Sequence, residues 1–77
     1  MIVEDDGNMA NAMRTQLTAW GYEVYCVQNF RKVTEEFLTE EPQLVLLDIM
    51  LPFFNGYHWC SEIRKISNVP IVFISSA

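Results

Sequence analysis

Hydrophobic positions along the chain form two kinds of pattern, which alternate. Short apolar runs rich in β-branched and aromatic residues occur at 1–4, 22–27, 44–47 and 70–75, and each predicts a strand. Between these runs, apolar residues recur every three or four positions, which is the spacing of one face of a helix. The predicted order is β-α-β-α-β-α-β, and such alternation is typical of an α/β fold with a parallel sheet and right-handed crossovers.

Each predicted helix has a signal for where it begins or ends. The first is expected to end at Gly21, because glycine readily adopts the conformation that follows a helix. The second is expected to start at an Asn29 cap and to close at residues 40–42, and the third spans about residues 57–66. The residues expected on the buried faces are Met9, Met13, Leu17 and Trp20 in the first helix, Phe30, Val33 and Phe37 in the second, and Trp59, Ile63 and Ile66 in the third.

Polar side chains stand where three of the four predicted strands end. Residues 4–6 (Glu-Asp-Asp) follow the first strand, Asp48 follows the third, and residues 75–76 (Ser-Ser) end the fourth. In open parallel sheets, ligands bind beyond the carboxyl ends of the strands. Asp5 and Asp48 would lie within a few ångströms if their strands are adjacent, and such acids repel unless one is protonated or a cation holds them. Mg²⁺ suits this oxygen-rich arrangement, and a carboxylate beside it can act as a nucleophile toward phosphorus.

Length and charge exclude several classes of protein. The chain has 77 residues, enough for one domain, and its net charge of −5 argues against nucleic-acid binding by this segment. Apolar runs of about five residues cannot cross a membrane, and no signal peptide opens the chain. Cys26 and Cys60 are expected to be reduced thiols of a cytoplasmic protein, and with His58 they are too few for a zinc site.

Three motifs together resemble the receiver domain of two-component response regulators. They are VEDD at 3–6, LLDIMLP at 46–52 with Gly56, and PIVFISSA at 70–77. The resemblance covers the whole chain and implies a flavodoxin-like (CheY-like) doubly wound parallel sheet. Residues 1–77 would be the N-terminal portion of the domain, truncated after the fourth strand, so that the family's fourth helix, fifth strand and fifth helix are absent.

The resemblance implies a phosphoacceptor and a metal site. Asp48 would accept a phosphoryl group from a sensor histidine kinase. Asp5 and Asp48 would bind Mg²⁺ directly, Glu4 would bind it through water, and Met50 would offer its backbone carbonyl to the metal.

The resemblance also implies a switch at the end of the fourth strand. Ser75 would be the hydroxyl that turns toward the phosphoryl group, and the backbone amide of Ser76 would assist. Pro52 and Gly56 would shape the loop after the phosphoacceptor. The family's lysine and aromatic residue on strand five have no counterpart in this sequence.

The motif variants are similar to those of the OmpR/PhoB class, whose receivers precede a winged-helix DNA-binding domain, and to its subgroup that responds to cell-envelope stress and peptide antibiotics. DNA would be contacted only through that missing domain, and no membrane partner is expected. An uncovered fourth strand would be an open sheet edge, so the 77-residue chain is expected to associate as a homodimer or by strand swapping.

Two alternatives differ in chemistry. The first is an interaction-only receiver that never turns over phosphate, which the missing lysine leaves open. The second is a phosphatase of the haloacid-dehalogenase type, which also uses a strand-end aspartate and Mg²⁺. That chemistry needs a second acid two residues after the nucleophile, and Met50 occupies that position.

Overall fold

The computed structural model of the protein describes residues 1–74. Its elements, in chain order, are β1 (Ile2–Val3), α1 (Gly7–Ala19), α2 (Val33–Glu40), β2 (Val45–Asp48), α3 (Gly56–Arg64) and β3 (Ile71–Ile74). The three strands form one parallel sheet in the order β1-β2-β3. The α/β class and the parallel sheet predicted from the alternating pattern are therefore confirmed.

The register of the sheet sets which strand ends meet. Val3 of β1 lies opposite Leu47 of β2, so the next residues along, Glu4 and Asp48, stand side by side at the carboxyl edge. On its other side, β2 aligns Asp48 with Ile74 of β3. The first and third apolar runs of the sequence are thus direct neighbours, as the predicted site requires.

The second predicted strand, at 22–27, is reduced to one parallel bridge between Cys26 and Ile2. The Ile2 amide donates to the Tyr25 carbonyl at 2.8 Å, and the Val27 amide donates to the Ile2 carbonyl at 3.0 Å. Its neighbour β1 has only two residues, so the segment at 22–27 has no further strand residues of β1 to pair with. The prediction was wrong about the strand's extent, although the segment does lie beside β1.

The structure shows where the first two helices start, and for the second the start differs from the predicted one. Asp6 caps α1, because its Oδ1 accepts hydrogen bonds from the amides of Asn8 at 3.0 Å and Met9 at 3.2 Å. The second helix starts at Val33 instead of following an Asn29 cap. None of the helices within residues 1–74 combines the length and apolar character needed to cross a bilayer.

The core lies between the sheet and the helices. Its buried cluster comprises Val3, Val27, Val33, Phe37, Val45, Leu47, Trp59 and Ile63. Trp20 and Ile66, predicted to be buried, expose 66% and 50% of their surface. Both follow the last residue of their helix, so the helical periodicity that predicted their burial no longer applies.

One edge of the described sheet is formed by β3, on which Val72 and Phe73 are exposed. Such an edge offers backbone groups to another strand. Association of two copies through it stays a prediction.

Candidate functional site

Three of the predicted acids meet at the carboxyl end of the sheet. Glu4, Asp5 and Asp48 each offer a carboxylate oxygen, and these oxygens lie within 4.8 Å of one another. The register of β1 against β2 places them there, because both strands point the same way and end at the same level. Asp48 is 1% exposed and Glu4 is 5% exposed, whereas Asp5 faces solvent.

Glu4 is in an environment that disfavours its charge. Among the described residues, its buried Oε1 has no hydrogen-bond partner. Burial, followed by the neighbouring Asp48 and then Asp5, raises the pKa of Glu4 to about 7, against the opposing effect of the Asp6 backbone amide. A buried oxygen without a donor, beside two further carboxylates, indicates that a positively charged partner belongs here.

The donor set fits Mg²⁺. This ion prefers hard oxygen ligands at about 2.0–2.1 Å, so two oxygens bound to one ion lie at most about 4 Å apart. The three carboxylate oxygens lie within 4.8 Å of one another, which is close to this limit. The unpartnered Glu4 oxygen would accept a hydrogen bond from a metal-bound water or bind the ion itself. Glu4, Asp5 and Asp48 could therefore hold the ion with little movement.

The loop after Asp48 is tied back onto the strand end. The Met50 amide donates to Asp48 Oδ1 at 3.4 Å, while 72% of the Met50 surface is exposed. The Gly56 amide donates to the Ile49 carbonyl at 2.8 Å. A Cβ at Gly56 would lie 2.2 Å from the Asp48 carbonyl oxygen, so only glycine allows this close approach.

An open cleft lies beside two of the three acids. A cleft of about 350 Å³ borders Glu4 and Asp5 and is also lined by Arg14, Gln28 and Phe30. Asp6 points elsewhere, to the start of α1, where its side chain caps the helix. Ser75 and Ser76 lie outside the described residues, so their roles stay predictions.

A basic side chain also approaches the loop after Asp48. The guanidinium carbon of Arg31 lies 4.1 Å from the ring centroid of Phe53. No sequence pattern predicts this contact, because Arg31 is not at a strand end and is 22 positions from Phe53. Cation–π pairs have no fixed spacing along a chain, so sequence reasoning could not find this one.

The raised pKa of Glu4 predicts how stability depends on pH without a divalent cation. Its ordinary value is 4.5 and its folded value is about 7. Its contribution to stability is fully present below about pH 4.5, and about 2–3 kcal/mol of stability is lost as the pH rises through 7. Urea unfolding in a chelator between about pH 5 and about pH 8 measures this loss.

The matched control for this prediction is Glu4→Gln, which keeps the size of the side chain and cannot ionise. Its stability should lack the decline, and saturating Mg²⁺ should remove the decline from the original protein, because the ion favours ionised carboxylates. Parallel pH profiles for both proteins in the chelator would contradict the assignment.

Fold and site together define a class of protein, an α/β domain with an acidic pocket at the carboxyl end of a parallel sheet. The sequence matches the response regulator receiver domain over residues 1–77. The chain belongs to this family, whose members are signalling modules and not conventional enzymes. The receiver resemblance found in the sequence is thereby confirmed.

Relatives agree in sequence and in structure. The sensory transduction protein BceR of Halalkalibacterium halodurans is 50% identical, and the match covers 99% of this chain but 33% of that protein. The N-terminal domain of the nisin resistance regulator NsrR, a lantibiotic response regulator, superposes with a TM-score of 0.90 at 46% identity, covering 99% of this chain and 64% of the other. The BeF3-activated receiver domain of Klebsiella pneumoniae RstA superposes with a TM-score of 0.92 at 33% identity. That match covers 99% of this chain and 65% of the RstA chain. The chain thus spans about a third of the length of the BceR protein.

Proposed function

We propose that this chain is a phosphorylation-dependent signalling receiver that accepts a phosphoryl group on Asp48 from a sensor histidine kinase. The observation that carries the proposal is the meeting of Glu4, Asp5 and Asp48 oxygens within 4.8 Å at the carboxyl edge of a parallel sheet. A carboxylate in such a setting is both a metal ligand and a nucleophile.

In the proposed transfer, a carboxylate oxygen of Asp48 attacks the phosphorus of a phosphohistidine on the kinase. The P–O bond forms as the P–N bond breaks, and the electron pair of that bond returns to an imidazole protonated on its other nitrogen, which leaves neutral. The product is an acyl phosphate on Asp48. The Met50 amide already donates to Asp48 Oδ1 and so helps to orient the carboxylate for the attack.

Mg²⁺ would be held by Asp5, Asp48 and the Met50 carbonyl, with Glu4 bound through water. When bound, the ion neutralises negative charge on the carboxylates and on the transferring phosphoryl group. The hydroxyl of Ser75 and the backbone amide of Ser76 would then hydrogen-bond the phosphoryl oxygens.

The output is proposed to lie in a further part of a longer protein. BceR is about three times as long as the matched region, and NsrR is described as a lantibiotic response regulator. We infer an OmpR/PhoB-class regulator in the cytoplasm, in which the receiver controls a winged-helix domain that binds DNA. We propose that this regulator responds to peptide antibiotics.

Phosphorylation of the full-length chain tests the proposal. Incubation with Mg²⁺ and acetyl phosphate, or with a phosphorylated sensor kinase, should add the mass of one phosphoryl group, and hydroxylamine should remove it because it cleaves acyl phosphates. Chelation of Mg²⁺ should abolish the addition. No added mass from either donor would favour the interaction-only receiver instead.

A further inference from the structure

The loop after Asp48 contains a strained turn. Phe53 has a φ of 70°, in the left-handed region that non-glycine residues rarely adopt. The Phe54 amide donates to the Pro52 carbonyl at 2.8 Å, which closes a three-residue γ-turn around Phe53. The positive-φ form of this turn is rare and strained, and a bulky aromatic residue at its centre needs a compensating contact.

Burial does not supply that contact, because 61% of the Phe53 surface is exposed. Its ring instead carries the guanidinium of Arg31, with the central carbon 4.1 Å from the ring centroid. The distance is well inside the range of a cation–π interaction. A planar guanidinium stacks on an aromatic face better than a lysine ammonium does. The pair therefore favours the conformation of Phe53 seen in the turn.

Arg31 stands on an anchored segment and is not a loose surface residue. The Arg31 amide donates to Asn29 Oδ1 at 3.0 Å, and the Asn29 amide donates to Glu36 Oε2 at 2.7 Å. The other oxygen of Glu36 accepts from the Gln28 amide at 3.0 Å and from the Tyr25 hydroxyl. Glu36 belongs to α2, so this network fixes the position of Arg31 relative to a helix that packs on the core.

On its N-terminal side, the turn around Phe53 is connected to Asp48 by the residues between them. Phe53 is five residues after Asp48. Between them, the Met50 amide contacts the Asp48 carboxylate, and the Ile49 carbonyl accepts from the first residue of α3, Gly56. A loop held at both of these points transmits a change at Phe53 to the groups around Asp48.

We propose that Arg31 is a positioning residue for phosphorylation. Through its stack on Phe53 it holds the strained turn and, with it, the backbone of residues 49–51 against Asp48. The inference rests on the proposed function, because it concerns the rate at which Asp48 accepts a phosphoryl group. The Arg31 side chain acts through Phe53 and does not itself contact the phosphoryl group.

The test measures the rate of Asp48 phosphorylation by acetyl phosphate at saturating Mg²⁺ in the full-length chain, well below its melting temperature. Arg31→Ala should slow the reaction about two- to fivefold, which is the rate ratio that corresponds to the free energy of an exposed cation–π pair. Arg31→Lys should restore part of the rate, because it keeps the charge but stacks less well. Lys32→Ala is the matched control, since it removes a neighbouring positive charge without touching the stack.

A second variant separates positioning from a general loss of stability. Glycine adopts positive φ without strain, so Phe53→Gly makes the turn independent of Arg31. In this background, Arg31→Ala should leave the phosphorylation rate unchanged, and the two substitutions should be clearly non-additive.

Equal rates for the original protein and Arg31→Ala would overturn the inference while leaving the proposed function standing. An equal slowing by Lys32→Ala would also overturn it, because charge alone would then explain the effect. Failure of the original protein to accept phosphoryl from any donor would overturn both.

Discussion

Replacing Asp48 with asparagine is expected to abolish phosphoryl acceptance while making the metal-free protein more stable. An amide is not a nucleophile toward phosphorus under these conditions, and the neighbouring acids Glu4 and Asp5 are assigned to the metal. The rate should fall to background with acetyl phosphate or with a phosphorylated kinase. Intact-mass analysis of the full-length chain checks this.

The gain in stability has a separate physical cause. Asp48 is the first of the neighbouring carboxyls that raise the pKa of Glu4, after burial itself. Asparagine has nearly the same shape but no charge, so in a chelator near neutral pH the free energy of unfolding should rise by about 1 kcal/mol or more. Urea unfolding measures it. A protein that is inactive and also less stable would show that Asp48 has a structural role instead.

Replacing Gly56 with alanine is expected to be the most damaging single change in the loop. The added Cβ would lie 2.2 Å from the Asp48 carbonyl oxygen and 3.0 Å from both the Asp48 carbonyl carbon and the Ile49 Cα. All three are backbone atoms, which cannot rotate away. The start of α3 must therefore shift, at a cost of about 2–4 kcal/mol, and phosphorylation should slow because the backbone of Asp48 moves with it.

Gly7→Ala is the matched control for this substitution. Gly7 is also the first residue of a helix, and nothing lies within 4 Å of an added Cβ there. Because alanine favours helix more than glycine does, the control should be neutral or stabilising by up to about 1 kcal/mol. Similar thermal midpoints and phosphorylation rates for the two variants would refute the role assigned to Gly56.

The sequence predicted the parallel α/β architecture and the acidic cluster because both depend on local patterns. Apolar runs without alternation predicted buried parallel strands, and each run that ended in an acid predicted which edge the acid would reach. Asp5 and Asp48 then needed only adjacent strands to meet, and β1 and β2 are adjacent. The site followed from topology and did not require side-chain detail.

Features that depend on contacts between distant residues could not be predicted. The strand at 22–27 is reduced to a bridge because its partner is short, which its own composition cannot reveal. No sequence pattern distinguishes Glu36 from a solvated acid on a helix, yet Glu36 anchors the segment around Asn29. The positive φ of Phe53 could not be predicted either, because glycine or asparagine usually occupies a position with this backbone conformation.

A crystal structure of the full-length chain with Mg²⁺ and beryllofluoride tests the central claim most directly. We predict one octahedral ion bound by oxygens of Asp5 and Asp48, with Glu4 reaching it through water, and a beryllofluoride group bonded to the Asp48 carboxylate. An ion bound elsewhere, or beryllofluoride attached to a different residue, would contradict the account.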